Sequence, residues 1–393
     1  MKRRSFIKRT ALTSAAFLIP EFLRPLQRYF PSDYRNLVVI QLSGGNDGLN
    51  TVIPFENDLY YNLRKTISVP KEQVLKLDDY SGLHPSMKGL QELYREGLLC
   101  IINSVGYPNP DRSHFRSMDI WHSASDASKY VNTGWIGRFL DSDCDGCAFP
   151  YTALELDQTL SLALKGENRK GLALNNMRQL YNQTREPFFK ETLAVAGAES
   201  ENVAYLYKTM AETYSSAEYI FETTKTFNND FEYPKGNLSA QLQKIATCIG
   251  SGMSTKVYYA SLGGFDTHVG QINRQENLLR QFSESSTAFV RNLQKMNKLE
   301  NTLVMVFSEF GRRVQQNASN GTDHGTANQV FLMGAGLRKK GFYNEAPSLS
   351  DLDEGDLKFK IDFRNVYASV LNNWLKADSK IILGKQFDLL DII

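Results

Sequence analysis

Five stretches of this chain stay apolar without interruption and then stop in polar or glycine-bearing sequence: "LVVIQL" at 37–42, "GLLCIINSVG" at 97–106, "KVYYASLGG" at 256–264, "NTLVMVFSEFG" at 301–311 and "NQVFLMGAG" at 328–336. Such runs lack the inner-outer alternation of a half-solvated strand, so they read as strands covered on both faces. Between them apolar residues recur at helical spacing over 86–96, 201–227, 238–250, 272–298 and 363–376. Buried strands alternating with helices predict an α/β fold with a mostly parallel central sheet sandwiched by helices. In such sheets ligands gather beyond the carboxyl ends of the strands. The polar clusters of this chain fall at those ends.

The first strand empties into "GGNDGLN", which sets Asp47 among glycines that permit close approach of backbone to a ligand or metal. The second leads to "DRSHFRSMDIWHS", with Ser113, His114, Arg116 and His122. "GGFDTH" places Asp266 and His268 two apart, so in extended backbone both side chains point the same way. "SEFGRR" supplies Glu309, Arg312 and Arg313, and "GTDHG" supplies Asp323 and His324. Carboxylates and imidazoles at several strand exits are the donor set of a hydrolytic metal site, holding one or two ions of zinc, manganese, magnesium or calcium. Each residue also has a plain structural reading. Asp47 fits an Asx turn or helix cap, Ser113 a helix cap, and His84 and His122 hydrogen-bonded structural histidines.

With 45 Lys and Arg against 43 Asp and Glu, the chain offers no global field for a nucleic acid, so anion binding must be local. The opening "MKRRSFIKRTALTSAAFLIP" resembles a twin-arginine export signal, with Arg3 and Arg4 as the pair and Lys8 following. Its apolar stretch is shorter than the roughly 18 residues of a membrane span. An exported, periplasmic protein without a stable span, handled by the twin-arginine translocase, is the expectation. The pair in "DCDGC", Cys144 and Cys147, suits a local disulfide, free thiols or a metal knuckle, but matching zinc ligands are missing from the sequence around it.

Together "VIQLSGGNDGLNTVIP", "LHPSM", "GYPNPDRSHFRSMDIWHSA", "TGWIGRFLD", "GGFDTH", "SEFGRR" and "GTDHGTANQVFLMG" resemble the DUF1501 family of exported bacterial proteins, which is similar to the alkaline phosphatase and sulfatase superfamily. The resemblance implies an alkaline phosphatase-like domain over 36–393, preceded by a signal and linker at 1–30, with a helical insertion around 195–250. It implies Asp47 as the first-strand metal ligand, Ser113 as nucleophile, and Asp266, His268 and His324 around one metal. Glu309 and Phe310 stand where the superfamily has Asp-His, and Phe310 cannot ligate, so a second metal position built from Asp47 and Glu309 lacks an imidazole. Arg116 and Arg312 are candidates to hold non-transferred oxygens, and His114 is a candidate ligand or acid. The implied function is an exported metal-dependent hydrolase of a phosphate or sulfate ester, small-molecule or glycan. The alternative is a non-catalytic envelope or carbohydrate-binding protein that keeps the charged cleft.

Overall fold

The structure, a computed structural model, describes residues 34–142, 149–187, 189 and 201–393. The twin-arginine stretch and the Cys144/Cys147 pair lie outside the described residues. Residues Asn176–Glu222 form a compact unit of their own. In it the helix Met177–Thr184 and the C-terminal part of Glu201–Thr224 are tied by Tyr181 stacked on Phe221 at 4.1 Å and by an ion pair between Arg185 and Glu218.

The larger unit is built on β1 (Asn36–Ser43), β2 (Leu99–Gly106), β3 (Ala153–Glu155), β4 (Leu172–Ala173), β5 (Val257–Gly263), β6 (Thr302–Phe307) and β7 (Asn328–Met333), joined at one edge by β8 (Gly341–Phe342). Their spatial order is β8-β2-β7-β6-β1-β5-β3-β4. Central β1 pairs in parallel with β5, Leu37 opposite Val257 through Ser43 opposite Gly263, and with β6, Asn36 opposite Thr302 through Gln41 opposite Phe307. The sheet is mostly parallel, but β7 runs antiparallel to both β2 and β6. That reversal matters for the site: the loop that enters β7 lies at the edge where β1, β2, β5 and β6 end.

Both faces are covered, as unbroken apolar runs require. Leu37 and Val39 face a core with Trp121, Trp135, Phe363, Tyr367 and Trp374, while Val38 and Ile40 are equally inaccessible. Helix α1 (Lys88–Arg95) packs against α4 (Gln271–Lys295), which packs against α3 (Asn237–Gly250). Helix α2 (His114–Ser123) carries Trp121 into the core, where it stacks on Phe307 and Phe363. No helix among the described residues is long and apolar enough to cross a membrane.

Candidate metal centre

Four chain segments meet at this edge of the sheet, and their close approach needs glycine. After β1 the backbone turns through positive φ at Gly44 (115°) and Gly45 (69°). A Cβ on Gly44 would lie 2.5 Å from the Asp266 amide nitrogen, and one on Gly45 would lie 2.2 Å from the Phe310 ring. A short antiparallel bridge between Arg312 and His324 joins the two arms of the loop between β6 and β7.

His114, Asp266 and His324 each offer a ligand atom, and these atoms all lie within 4.8 Å of one another. His268 joins them. Its Nε2 is 2.9 Å from His324 Nε2 and 3.1 Å from Asp266 Oδ1. Asp266 Oδ1 is in turn 3.4 Å from His324 Nε2 and 3.6 Å from His114 Nε2.

The other nitrogen of each ring is held by an acceptor. Nδ1 of His114 meets Glu309 Oε1 at 2.9 Å, Nδ1 of His268 meets Asp323 Oδ1 at 3.0 Å, and Nδ1 of His324 meets the Arg112 carbonyl at 2.6 Å. Carboxylates and carbonyls only accept, so each Nδ1 carries a proton, and a ring that is neutral points an Nε2 lone pair inward. Two such lone pairs 2.9 Å apart repel unless a proton or cation lies between them. His114 Nε2 is buried and has no hydrogen-bond partner. A tetrahedral zinc with Zn–N of about 2.0–2.1 Å sets neighbouring ligands about 3.3 Å apart, and the four spacings above, 2.9, 3.1, 3.4 and 3.6 Å, bracket that value. The residues therefore fit a single divalent cation held by His114, Asp266 and His324, with His268 set against the last two. Acceptors on the outer nitrogens are what orients such rings.

The charges agree with that use. Burial works to raise the Asp266 carboxyl, but the hydrogen bond and charge of Arg312, with His268 and His114 adding, hold it down at about 2. Burial lowers His324, keeping it neutral and able to ligate. His114 is raised, chiefly by its hydrogen bond to Glu309. The Asp266 and His268 side chains are 48% and 39% exposed, so solvent reaches the cluster.

The remaining expected site residues have other employment. Asp47 is 1% exposed and caps the turn Gly48–Thr51 with Oδ1, while Oδ2 takes Arg64 at 2.5 Å and Gln271 at 2.5 Å. With both oxygens engaged it is not among the converging ligands. Glu309 and Asp323 serve as ring acceptors rather than as direct donors to the cluster. Arg116 is buried and donates to the carbonyls of Ala127 and Lys129. Arg312, its side chain wholly buried, donates to the carbonyls of Gly44, Gly45, Phe265 and Thr322 and to Asp266. Arg312 presents no free fork to a substrate, and Arg116 is buried with one terminal nitrogen on carbonyls and its guanidinium over the Tyr130 ring at 3.9 Å. Ser113 occupies the N-cap position of α2, exposed, and makes no cap bond. Phe310 lies 4.8 Å from both the His114 and His324 rings and forms an apolar wall beside them. It also lines a cavity of about 270 Å³ with Tyr107, Leu357 and Phe359.

Among histidines away from the cluster, His122 is held between Gln41 Oε1 (3.0 Å) and Tyr259 OH (3.1 Å), and His84 accepts from the Ser86 amide. The residues that sequence reasoning passed over are Arg112, whose carbonyl orients His324, and Arg64, whose charge claims Asp47. Nothing local marks a backbone carbonyl as an orienting group.

Comparison with known proteins gives a family match: the family described as "Protein of unknown function (DUF1501)" covers residues 34–375. No curated protein matches the chain in sequence. Similar solved structures include the lipoteichoic acid synthase LtaP from Listeria monocytogenes, 9% identical, TM-score 0.40, covering 95% of this chain and 76% of that one. The PsFucS1 sulfatase from Pseudoalteromonas sp. is 11% identical, TM-score 0.40, over 91% of this chain and 71% of that one. A protein in the alkaline phosphatase superfamily from Vibrio parahaemolyticus is 9% identical, TM-score 0.35, over 78% of this chain and 61% of that one. At these values the likenesses say nothing of substrate or mechanism.

Proposed function

The chain belongs to the DUF1501 family, and from that premise and its own site residues we propose a metal-dependent hydrolase of a phosphate or sulfate ester. One observation carries the reading: ligand atoms of His114, Asp266 and His324 converge, with His268 Nε2 against the last two, while the Nδ1 of every ring is tied to an acceptor. His114, Asp266, His268 and His324 would hold one zinc-like ion. Such an ion supplies Lewis acidity toward an ester oxygen.

The chain's own groups divide the remaining work. Glu309, Asp323 and the Arg112 carbonyl keep the rings in the ligating tautomer. Arg312 keeps Asp266 ionised and aimed. His114, with Nε2 in the ligand set and Nδ1 on Glu309, has no nitrogen left to protonate a leaving group. Ser113, exposed beside His114, is the candidate attacking hydroxyl: its Oγ would bond to the central phosphorus or sulfur as the ester oxygen departs with the bonding pair, the hydroxyl proton passing through solvent to that oxygen, and water would then hydrolyse the seryl ester.

The test is elemental analysis with an ester screen. About one equivalent of a divalent metal in the wild type, lost in Asp266→Ala or His268→Ala together with turnover on phosphate or sulfate esters, is expected. Metal in the wild type with no turnover across the panel would favour the second reading, a binding protein. Phe310 favours that reading, because it fills a ligand position with an apolar ring. Export through the twin-arginine translocase is likewise proposed, from Arg3, Arg4 and Lys8. Replacing both arginines by lysine should retain the protein in the cytoplasm on fractionation.

A further inference from the structure

Two arginines next to residues of the metal centre retain guanidinium donors, and neither is the pair that the sequence put forward. Arg112 precedes Ser113, and its carbonyl takes the His324 Nδ1 proton at 2.6 Å. Arg313 follows Arg312, and its amide donates to the Asp323 carbonyl at 3.0 Å. They bracket the Asp323-His324 step from two sides. Their side chains are 37% and 40% exposed, unlike that of Arg312, which is wholly buried.

Both guanidinium groups are tethered to one buried carboxylate. Asp356 Oδ2 accepts from Arg112 Nε at 2.8 Å and from an Arg112 terminal nitrogen, while Asp356 Oδ1 lies 3.7 Å from Arg313 Nε. Asp356 sits on a hairpin of β9 (Leu352–Asp353) and β10 (Asp356–Leu357) whose two turn residues, Glu354 and Gly355, both have positive φ. Thr326, two residues past His324, donates to the Leu357 carbonyl at 2.6 Å and anchors the hairpin beside the centre. The Arg313 guanidinium makes no hydrogen bond among the described residues. Its paired terminal donors and one arm of Arg112 are free.

Around the cluster Asp266, Glu309 and Asp323 set three negative charges against Arg312, so a divalent ion there leaves no net positive charge to attract an anion. Arg112 and Arg313 bring two positive charges, set against Asp356 and against the exposed Glu354 carboxylate 3.8 Å from Arg112, so an anion is met by directed donors rather than by net charge. Planar forked donors suit tetrahedral oxyanions.

We propose that Arg112 and Arg313, tethered by Asp356, form a clamp for the oxyanion of the substrate at the rim of the metal centre. The clamp rests on the hydrolase reading, which it deepens by assigning the groups that hold the phosphate or sulfate oxygens. Asp356 is a positioning residue.

The experiment is calorimetry of inorganic phosphate and of sulfate with zinc-loaded protein, zinc being quantified in each sample. Arg112→Gln/Arg313→Gln should weaken binding by about tenfold or more at unchanged zinc content. The double lysine variant should weaken it too, because charge alone lacks the fork. Asp356→Asn should also weaken it, although a negative charge is removed. The tighter of the two anions names the ester class. A wild type that binds neither anion, or a double glutamine variant that binds as the wild type does, overturns the clamp. Wild-type affinity in the lysine variant overturns its forked geometry, and tighter binding in Asp356→Asn overturns the tether. Absence of zinc from the wild type would instead sink the hydrolase reading, and the anion comparison would still decide the clamp.

Discussion

Asp47 and Asp266 look alike in the sequence, each an acid a few residues past a Gly-Gly pair at a strand exit, and they do opposite things. Asp47 is inaccessible and neutralised by Arg64, so Asp47→Asn strips a buried guanidinium of its partner and should cost about 3–5 kcal/mol of stability. Asp266 is half exposed, and the buried Arg312 that it pairs with keeps four carbonyl acceptors, so Asp266→Asn should cost less stability than Asp47→Asn and remove the metal. Urea titration and elemental analysis on the same two variants separate the roles, and equal loss of metal in both would return Asp47 to the ligand set. Glu309 makes a subtler case. Its carboxylate fixes the His114 tautomer from outside the cluster, so Glu309→Gln should lower metal affinity by about 10–100-fold without deleting a ligand. Competition with a chelator of known affinity reads this directly. Spacing paired Asp266 with His268 and the family resemblance added His324, but neither could separate an acid that binds an ion from one that holds an imidazole. That distinction depends on Arg64, 17 residues from Asp47, and on Glu309, 195 residues from His114.

Long elements were legible and short ones were not. All five apolar runs are strands and the helical patterns are helices, because each is long enough for both faces or one stripe to show in composition. Strands β3 and β4, three and two residues long, carry no period to detect. The hairpin β9–β10 lies in "DLDEGDLK", whose turn is Glu-Gly with both φ positive. That geometry matches the type I′ hairpin turn, whose twist suits paired strands. At φ 88° a Cβ on Gly355 is strained, so Gly355→Ala should cost about 1–2 kcal/mol and loosen Asp356 from the two arginines. The expected signature in chemical denaturation and calorimetry is a modest loss of stability with weaker phosphate binding at constant zinc. Unchanged phosphate affinity would mean that the hairpin turn does not set the clamp.

Across the whole molecule, strand order was out of reach of the sequence, since it depends on pairings such as Leu37 with Val257 and Asn36 with Thr302. The same long-range packing buries ionisable groups of opposite kind, and these make stability depend on pH in opposing directions. His122 is a base in the core, lowered by burial from 6.5 to about 4. Between those values the unfolded chain takes up a proton that the folded one refuses, so the contribution of His122 is full above 6.5 and falls as pH drops toward 4. Glu155 is an acid in the core, raised by burial from 4.5 to about 7. Here the folded state keeps its proton longer, so the contribution is full below 4.5 and is lost as pH rises toward 7. Each shift corresponds to at most about 3 kcal/mol. Relative to His122→Gln the wild type should lose stability on acidification, and relative to Glu155→Gln it should lose stability on alkalinisation, within one overlapping window. Denaturant titrations of the three proteins at several pH values between 4 and 7 measure both slopes, and parallel curves would mean that neither group is held in the protonation state that its burial dictates.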